Sequence, residues 1–321
     1  MKLIRTVTGD IAPENLGWCQ CHEHLYIENG KAYECNPVLR MEDAGRSLRE
    51  LQDYAKAGGK AYVDAQPVWS GRMAELMGPA SEASGVSIIA STGYHKQCFY
   101  YEDSPLFTST DDELYRTFRA DIEEGMLSSV KAGLFRTAYK AGIVKLALDH
   151  DGVGAPRYAR LLKAALAAAA DTGVEVMAHF EPEADAFELL REMERAGLPP
   201  QRLIACHLDR THPRADYINE VAAADAYLDF DTVHRYKYHG DAEELALIRS
   251  VLEAGNGNRL MLSLDTTAAR LRSYGGEPGL DHILTGFRGK LAEAGVDEGE
   301  LRRMMIENPA RALAMERPDG Q

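Results

Sequence analysis

The sequence predicts an α/β protein, a single (β/α)8 barrel spanning residues 1–321. Three observations carry this reading. Short apolar runs alternate with amphipathic helical stretches along the whole chain, eight such runs occur, and no Gly-x-Gly-x-x-Gly fingerprint follows the first of them. Strand, helix, strand repeated throughout means a parallel sheet, and eight repeats in a chain of this length suit a closed barrel better than an open nucleotide-binding sheet. Runs that are apolar at every position are strands buried on both faces.

Taken in order, the predicted strands are 17–21, 61–64, 86–91, 143–148, 174–178, 203–206, 226–230 and 260–264. Three helices stand out between them. Residues 157–172 form an Ala/Leu-rich stretch closed by Gly173, 183–196 are closed by Gly197, and 241–254 are closed by Gly255 with Asp241 as a candidate N-cap. No low-complexity tract or shift in composition marks a linker, so one domain is expected.

Composition narrows the function classes. The chain has 36 Lys+Arg against 50 Asp+Glu, a net charge of −14, and no block of five basic residues. Such a chain repels polyanions, so nucleic acid is not an expected partner. No run of some eighteen uncharged apolar residues exists and Met1-Lys2-Leu3-Ile4-Arg5 lacks a signal-peptide core, so neither a membrane partner nor secretion is expected and the location predicted is cytoplasmic. The five cysteines show no Cys-x-x-Cys spacing, and Cys19 and Cys21 would share one face of a strand. Reduced, mostly buried thiols are expected. Oligomeric state is left open, and a homo-oligomer is compatible with the sequence.

Barrel enzymes draw their chemistry from the carboxyl ends of the strands, so polar residues that terminate apolar runs are the candidates. His22 and His24 end the first run as His-Glu-His, a spacing that puts both imidazoles on one face. Lys145 lies inside the fourth run, His179 ends the fifth, His207 the sixth and Asp265 the eighth. Lys145, His179, His207 and Asp265 are separated by 34, 28 and 58 residues, each one or two βα repeats. Singly, each has a plainer reading: a hydrogen-bonded strand-end histidine, a snorkelling lysine, a turn-capping aspartate. Together they share no structural reason, and so many ionisable groups in one barrel mouth are costly unless paired or metal-bound. Imidazoles and a carboxylate suit zinc first, with manganese, cobalt or iron also compatible.

These residues make the chain resemble the phosphotriesterase-like branch of the amidohydrolase superfamily over essentially its full length. The matching features are Thr6-Val7-Thr8-Gly9, Leu16-Gly17, His22-Glu23-His24, Ala141-Gly142-Ile143-Val144-Lys145, His179, His207, Leu264-Asp265 and Glu307-Asn308-Pro309-Ala310-Arg311. The resemblance implies two divalent metal ions bridged by a carbamylated lysine and a hydroxide. By position, His22, His24 and Asp265 would bind the more buried ion, His179 and His207 the other, and Lys145 would bridge them as its carbamate. An ammonium among cation ligands is electrostatically unfavourable, whereas a carbamate supplies two oxygens and a negative charge. The implied activity is hydrolysis of an ester, lactone or phosphoester by the bridging hydroxide, with Asp265 accepting the proton.

The loops after the third, seventh and eighth strands are expected to choose the substrate. They carry Tyr94 and Lys96, then Arg235 and Lys237, then Arg270, Arg272 and Tyr274. Arg and Lys with Tyr suit a phosphate monoester or carboxylate, so the expected partner is an anionic small molecule, and the pattern looks like the family members that open phosphorylated sugar lactones. A phosphotriesterase or another carboxylester or lactone hydrolase is the alternative within the family. A Schiff-base aldolase at Lys145 is the alternative from another class; it would need no set of four histidines.

Overall fold

The computed structural model describes residues 2–149 and 153–316. Eight parallel strands form the sheet: β1 (Cys19–Glu23), β2 (Ala61–Asp64), β3 (Ser87–Gly93), β4 (Ala141–Leu148), β5 (Glu175–Phe180), β6 (Leu203–Cys206), β7 (Tyr227–Phe230) and β8 (Leu260–Leu262). Each pairs with its neighbours in chain order, with helices between successive strands, giving the (β/α)8 barrel. All eight predicted runs are strands.

The ends differ from expectation for local reasons. β3 runs on to Gly93, at φ +94°, where an added Cβ would stand 2.1 Å from the Lys145 carbonyl oxygen. Only glycine allows that approach, which brings the end of β3 beside the middle of β4. β8 ends at Leu262, although Ser263 N–H still donates to Phe230 O, and beyond it side chains join this segment to β1. The Ser263 hydroxyl accepts from the N–H groups of Cys21 (2.8 Å) and His22 (3.0 Å) and donates to Asp229 (2.9 Å). The Glu23 carboxylate accepts from the N–H groups of Leu264 (2.7 Å) and Thr266 (3.1 Å).

Two apolar layers hold the barrel. Cys19, Cys21, Val63, Ile89, Ile143, Met177, Ile204 and Met261 fill its interior, and a larger cluster lies between the strands and the helices. Fully burying a side chain of this size contributes about 1.5–3 kcal/mol. Cys206 is buried as well, whereas Cys35 and Cys98 are exposed, and all five thiols are free. A hairpin, Lys2–Thr6 with Gly9–Ile11, joins Met315–Glu316 in a separate small sheet.

Helix Pro156–Thr172 starts on proline, one residue before the expected 157, and ends at Gly173 in the left-handed region (φ 77°), as its sequence predicts for that end. Helix Ala186–Arg195 starts later than expected because Asp185 caps it, accepting from Phe187 N–H. Helix Asp241–Glu253 is capped by Gly240 and not by Asp241. The Asp241 carboxylate instead accepts from His234 N–H, the Tyr236 hydroxyl and Lys290, so it ties the loop after β7 to the helix. Among the described residues no helix is long and apolar enough to cross a membrane.

Candidate metal centre

A register shift in β1 between Gln20 and Glu23 breaks the alternation, so that His22 and His24 face the mouth although Cys19 and Cys21 also face the interior, and Glu23 enters the seam with the segment after β8. Lys145 is wholly buried on β4, its Nζ 3.2 Å from His22 Nε2. His179 lies near the end of β5, and His207 follows β6 directly. His207 (φ 73°) and Asp265 (φ 49°) both take left-handed backbone, which non-glycine residues seldom adopt and which clusters at functional sites. Ring centroids of His22 and His24 are 5.4 Å apart, of His22 and His207 4.7 Å, and of His179 and His207 4.3 Å. Asp265 Oδ1 is 3.4 Å from His24 Nε2. The six strand-end residues therefore converge on one mouth.

Their partners settle which atoms remain free. Asp231 accepts from Nδ1 of His22 (3.1 Å) and of His207 (2.7 Å), leaving Nε2 of each ring facing the mouth. Glu181 takes Nε2 of His179 (2.9 Å), leaving its Nδ1. His24 Nδ1 is sealed in without a partner. His22, His24 and Asp265 place one ligand atom each within 4.8 Å of one another, as do His207, Asp231 and Asp265. Borderline nitrogen and hard oxygen donors at this spacing fit a divalent cation.

The electrostatics favour cation binding. Burial and the nearby Lys145 lower the His22 pKa to about 3, and burial lowers that of His179 to about 4, so both imidazoles are neutral near pH 7. Burial would raise the Asp265 carboxyl, but Arg235 and Arg210 overcome it and hold the group well below the usual carboxylate range. Asp231 is likewise held ionised by His207 and Arg210 against its burial. Burial also lowers the Lys145 pKa.

Above these groups lies a cavity of about 340 Å³. Lys96, Arg235 and Lys237 line it, as expected. Lys96 pairs with Glu181, Arg235 pairs with Asp265, and Lys237 lies 4.7 Å from the centre of the Tyr238 ring. Four predicted substrate residues do not line it. Tyr94 is wholly buried near Tyr158 because alternation beyond β3 turns it away, and His95 faces the cavity instead. Arg270 is pinned to the backbone oxygens of His234 (3.0 Å) and Val233 (2.6 Å). Arg272 pairs with Asp281 (2.7 Å), and the Tyr274 hydroxyl bonds Ser47 (2.9 Å) and Asp43 O (3.0 Å), so both brace the loop after β8.

Sequence reasoning also missed Arg210, whose guanidinium donates to Asp231 and Asp265 at 3.0 Å each. Its position three residues after His207 was the available signal, as was the His-x-Glu spacing for Glu181. A larger cavity, about 550 Å³, contains Arg5 and Tyr139 and none of these groups.

A family model described as the phosphotriesterase family matches residues 2–313. The chain belongs to the phosphotriesterase family. It is 30% identical over 334 residues to a phospho-furanose lactonase of Mycoplasmopsis agalactiae, covering 99% of this chain and 93% of that one. Among solved structures, an amidohydrolase from Mycoplasma synoviae superposes with a TM-score of 0.89 at 28% identity, covering 98% of this chain and 92% of that one. A lactonase from Listeria monocytogenes superposes with a TM-score of 0.87 at 26% identity, covering 98% and 100%. As a phosphotriesterase-family member the chain is an ester-hydrolysing enzyme.

Proposed function

We propose that this chain is a binuclear metal-dependent lactonase that opens a phosphorylated sugar lactone. The observation that carries the reading is one mouth in which four imidazoles, Lys145 and Asp265 converge beneath a wall bearing Arg210, Arg235 and Lys237. The phospho-furanose lactonase relative supports the same substrate class. His22, His24 and Asp265 would hold one ion and His179 and His207 the second, with Lys145, as its carbamate, the group that would link them. Two divalent ions bound there, zinc being the first choice, would supply Lewis acidity, lowering the pKa of a bound water and polarising a carbonyl.

The chain's own groups do the rest. Burial favours a neutral Lys145 amine, which forms the N–C bond to carbon dioxide and releases one proton. Asp265, kept ionised by its arginines, accepts the proton of the attacking water and passes it to the leaving alkoxide. Arg210 and Arg235 bond to Asp265 on the cavity side, so a substrate phosphate meets guanidinium groups already oriented there.

A hydrolysis screen of the metal-loaded protein against sugar lactones with and without phosphate tests the reading. Turnover of the phosphorylated member, abolished by a chelator, is expected. Activity on neutral lactones or triesters alone would remove the phosphate assignment. Covalent labelling of Lys145 by borohydride with substrate would replace the metal mechanism with a Schiff base.

A further inference from the structure

His95 lies outside the proposed ligand set yet lines the same cavity. The residue is 6% exposed, and its ring centroid lies 4.7 Å from that of Phe99, edge-on, 5.5 Å from His179 and 6.1 Å from His24. Its backbone N–H donates to the Tyr100 hydroxyl (2.8 Å). The backbone N–H of Lys96 donates to its Nδ1 (2.8 Å).

That last bond decides the protonation pattern. A backbone N–H can only donate, so Nδ1 is the acceptor, and the single proton of the neutral ring sits on Nε2. Among the described residues Nε2 meets no acceptor, yet it is not one of the sealed, unpartnered polar atoms of the interior, so it opens onto the cavity. Turning the ring over would put Cδ2–H where Nδ1 accepts and break the Lys96 bond, and moving the proton to Nδ1 would set two N–H groups against each other. Lys96 is itself tied to Glu181 on the neighbouring wall, which holds the donor in place.

We propose that His95 is a built-in hydrogen-bond donor, presenting Nε2–H to an oxygen of the substrate's ester group and stabilising the negative charge that grows there. The assignment rests on the lactonase reading for its substrate, and on the ring's own hydrogen bonds for its direction. A ring with Nδ1 occupied and Nε2 protonated cannot act as the base, which leaves proton acceptance to Asp265. The Lys96 N–H and the edge-on Phe99 fix the ring and Tyr100 holds its backbone before substrate arrives, so no reorganisation is needed as the charge develops.

The test uses the zinc-loaded full-length enzyme, with His95→Phe to remove the donor while keeping an aromatic ring and His95→Gln to restore an amide N–H near the same place. Long-range proton–nitrogen NMR of the wild type should show His95 with its proton on Nε2. On a phosphorylated furanose lactone and on its unphosphorylated counterpart, His95→Phe should lose about 100-fold in kcat/KM, mostly in kcat, at unchanged zinc content. His95→Gln should recover part of the loss. With p-nitrophenyl acetate the acceptor can be located: an equal loss places the donor on the carbonyl oxygen, and a smaller loss places it on the leaving oxygen.

A proton on Nδ1, or His95→Phe within threefold of wild type on lactones, would overturn the assignment. So would loss of zinc from both variants, which would make the ring a support of the metal site. A wild type that opens no lactone but carries the Nε2 proton would refute the lactonase reading and leave the donor standing.

Discussion

At the residue scale, Asp231 accepts from His22, His207 and Arg210 at once, so one substitution there disturbs two rings of the candidate metal centre. Asp231→Asn turns an N–H group towards one of those donors, and metal affinity should fall about 10- to 100-fold, as read by competition with a chelating dye. Unchanged affinity would mean that the rings are oriented by packing alone. Lys145→Met should abolish turnover and empty the centre while the barrel stays folded, since the side chain is buried and similar in length; near-normal turnover would exclude Lys145 as the bridge. The arginines and lysines now separate. Lys237→Ala should weaken kcat/KM for a phosphorylated lactone by up to about 5-fold and leave the unphosphorylated one nearly unchanged, because Lys237 lines the cavity but is exposed, where a charge pair contributes about 0.2–1 kcal/mol. Arg272→Ala should alter stability only, since its partners are Asp281 and Pro278 O. The convergence of His22, His24, Lys145, His179, His207 and Asp265 was legible because five of them sit at or near the end of an apolar run and Lys145 breaks the apolar run 143–148 from inside. Tyr94, Arg270, Arg272 and Tyr274 were misread because loop sequence records which charges are present and not which backbone oxygens they meet.

At the scale of elements, all eight strands were legible and their limits less so, because limits depend on contacts from distant strands. Nothing in the run 260–264 announces that the Ser263 side chain bonds β1 and Asp229 while its N–H still donates to Phe230 O. Ser263→Ala strands two buried N–H groups and a carboxylate oxygen, and it should cost about 2–4 kcal/mol in a denaturant titration. A loss below about 0.5 kcal/mol would show that the seam has other support. The first residue of β5 offers a second test. Burial raises the Glu175 carboxyl to about 8, only partly offset by Arg202 at 3.6 Å and by Lys2. The folded chain therefore keeps a proton that the unfolded chain releases near pH 4.5, so this group's contribution is complete below that pH and is lost as the pH rises through 8. Unfolding free energies of wild type and Glu175→Gln, from denaturant titrations, should diverge in the variant's favour between pH 5 and pH 9, by an amount on the order of a few kcal/mol. A constant gap would show that Arg202 neutralises the charge fully.

At the scale of the whole molecule, a net charge of −14 coexists with a mouth lined by Lys96, Arg210, Arg235 and Lys237. The average charge predicted repulsion of polyanions, and only the fold gathers these cations around one cavity. The candidate metal centre also couples ligand to stability. Zinc at 1,000 times its dissociation constant should stabilise the metal-free protein by about 4 kcal/mol, read as a rise in melting temperature that a chelator reverses. No shift on addition of zinc, manganese or cobalt would exclude a resident divalent ion. The seam has a further consequence, in time. His22 leaves the ribosome 243 residues before Asp265, and the side-chain bonds that join β1 to β8 need both. At roughly 5–20 residues per second, the growing chain carries an incomplete centre for some ten seconds or more before its last ligand exists. Full affinity for the ion then marks a finished barrel, and truncated chains that lack β8 should retain little of it.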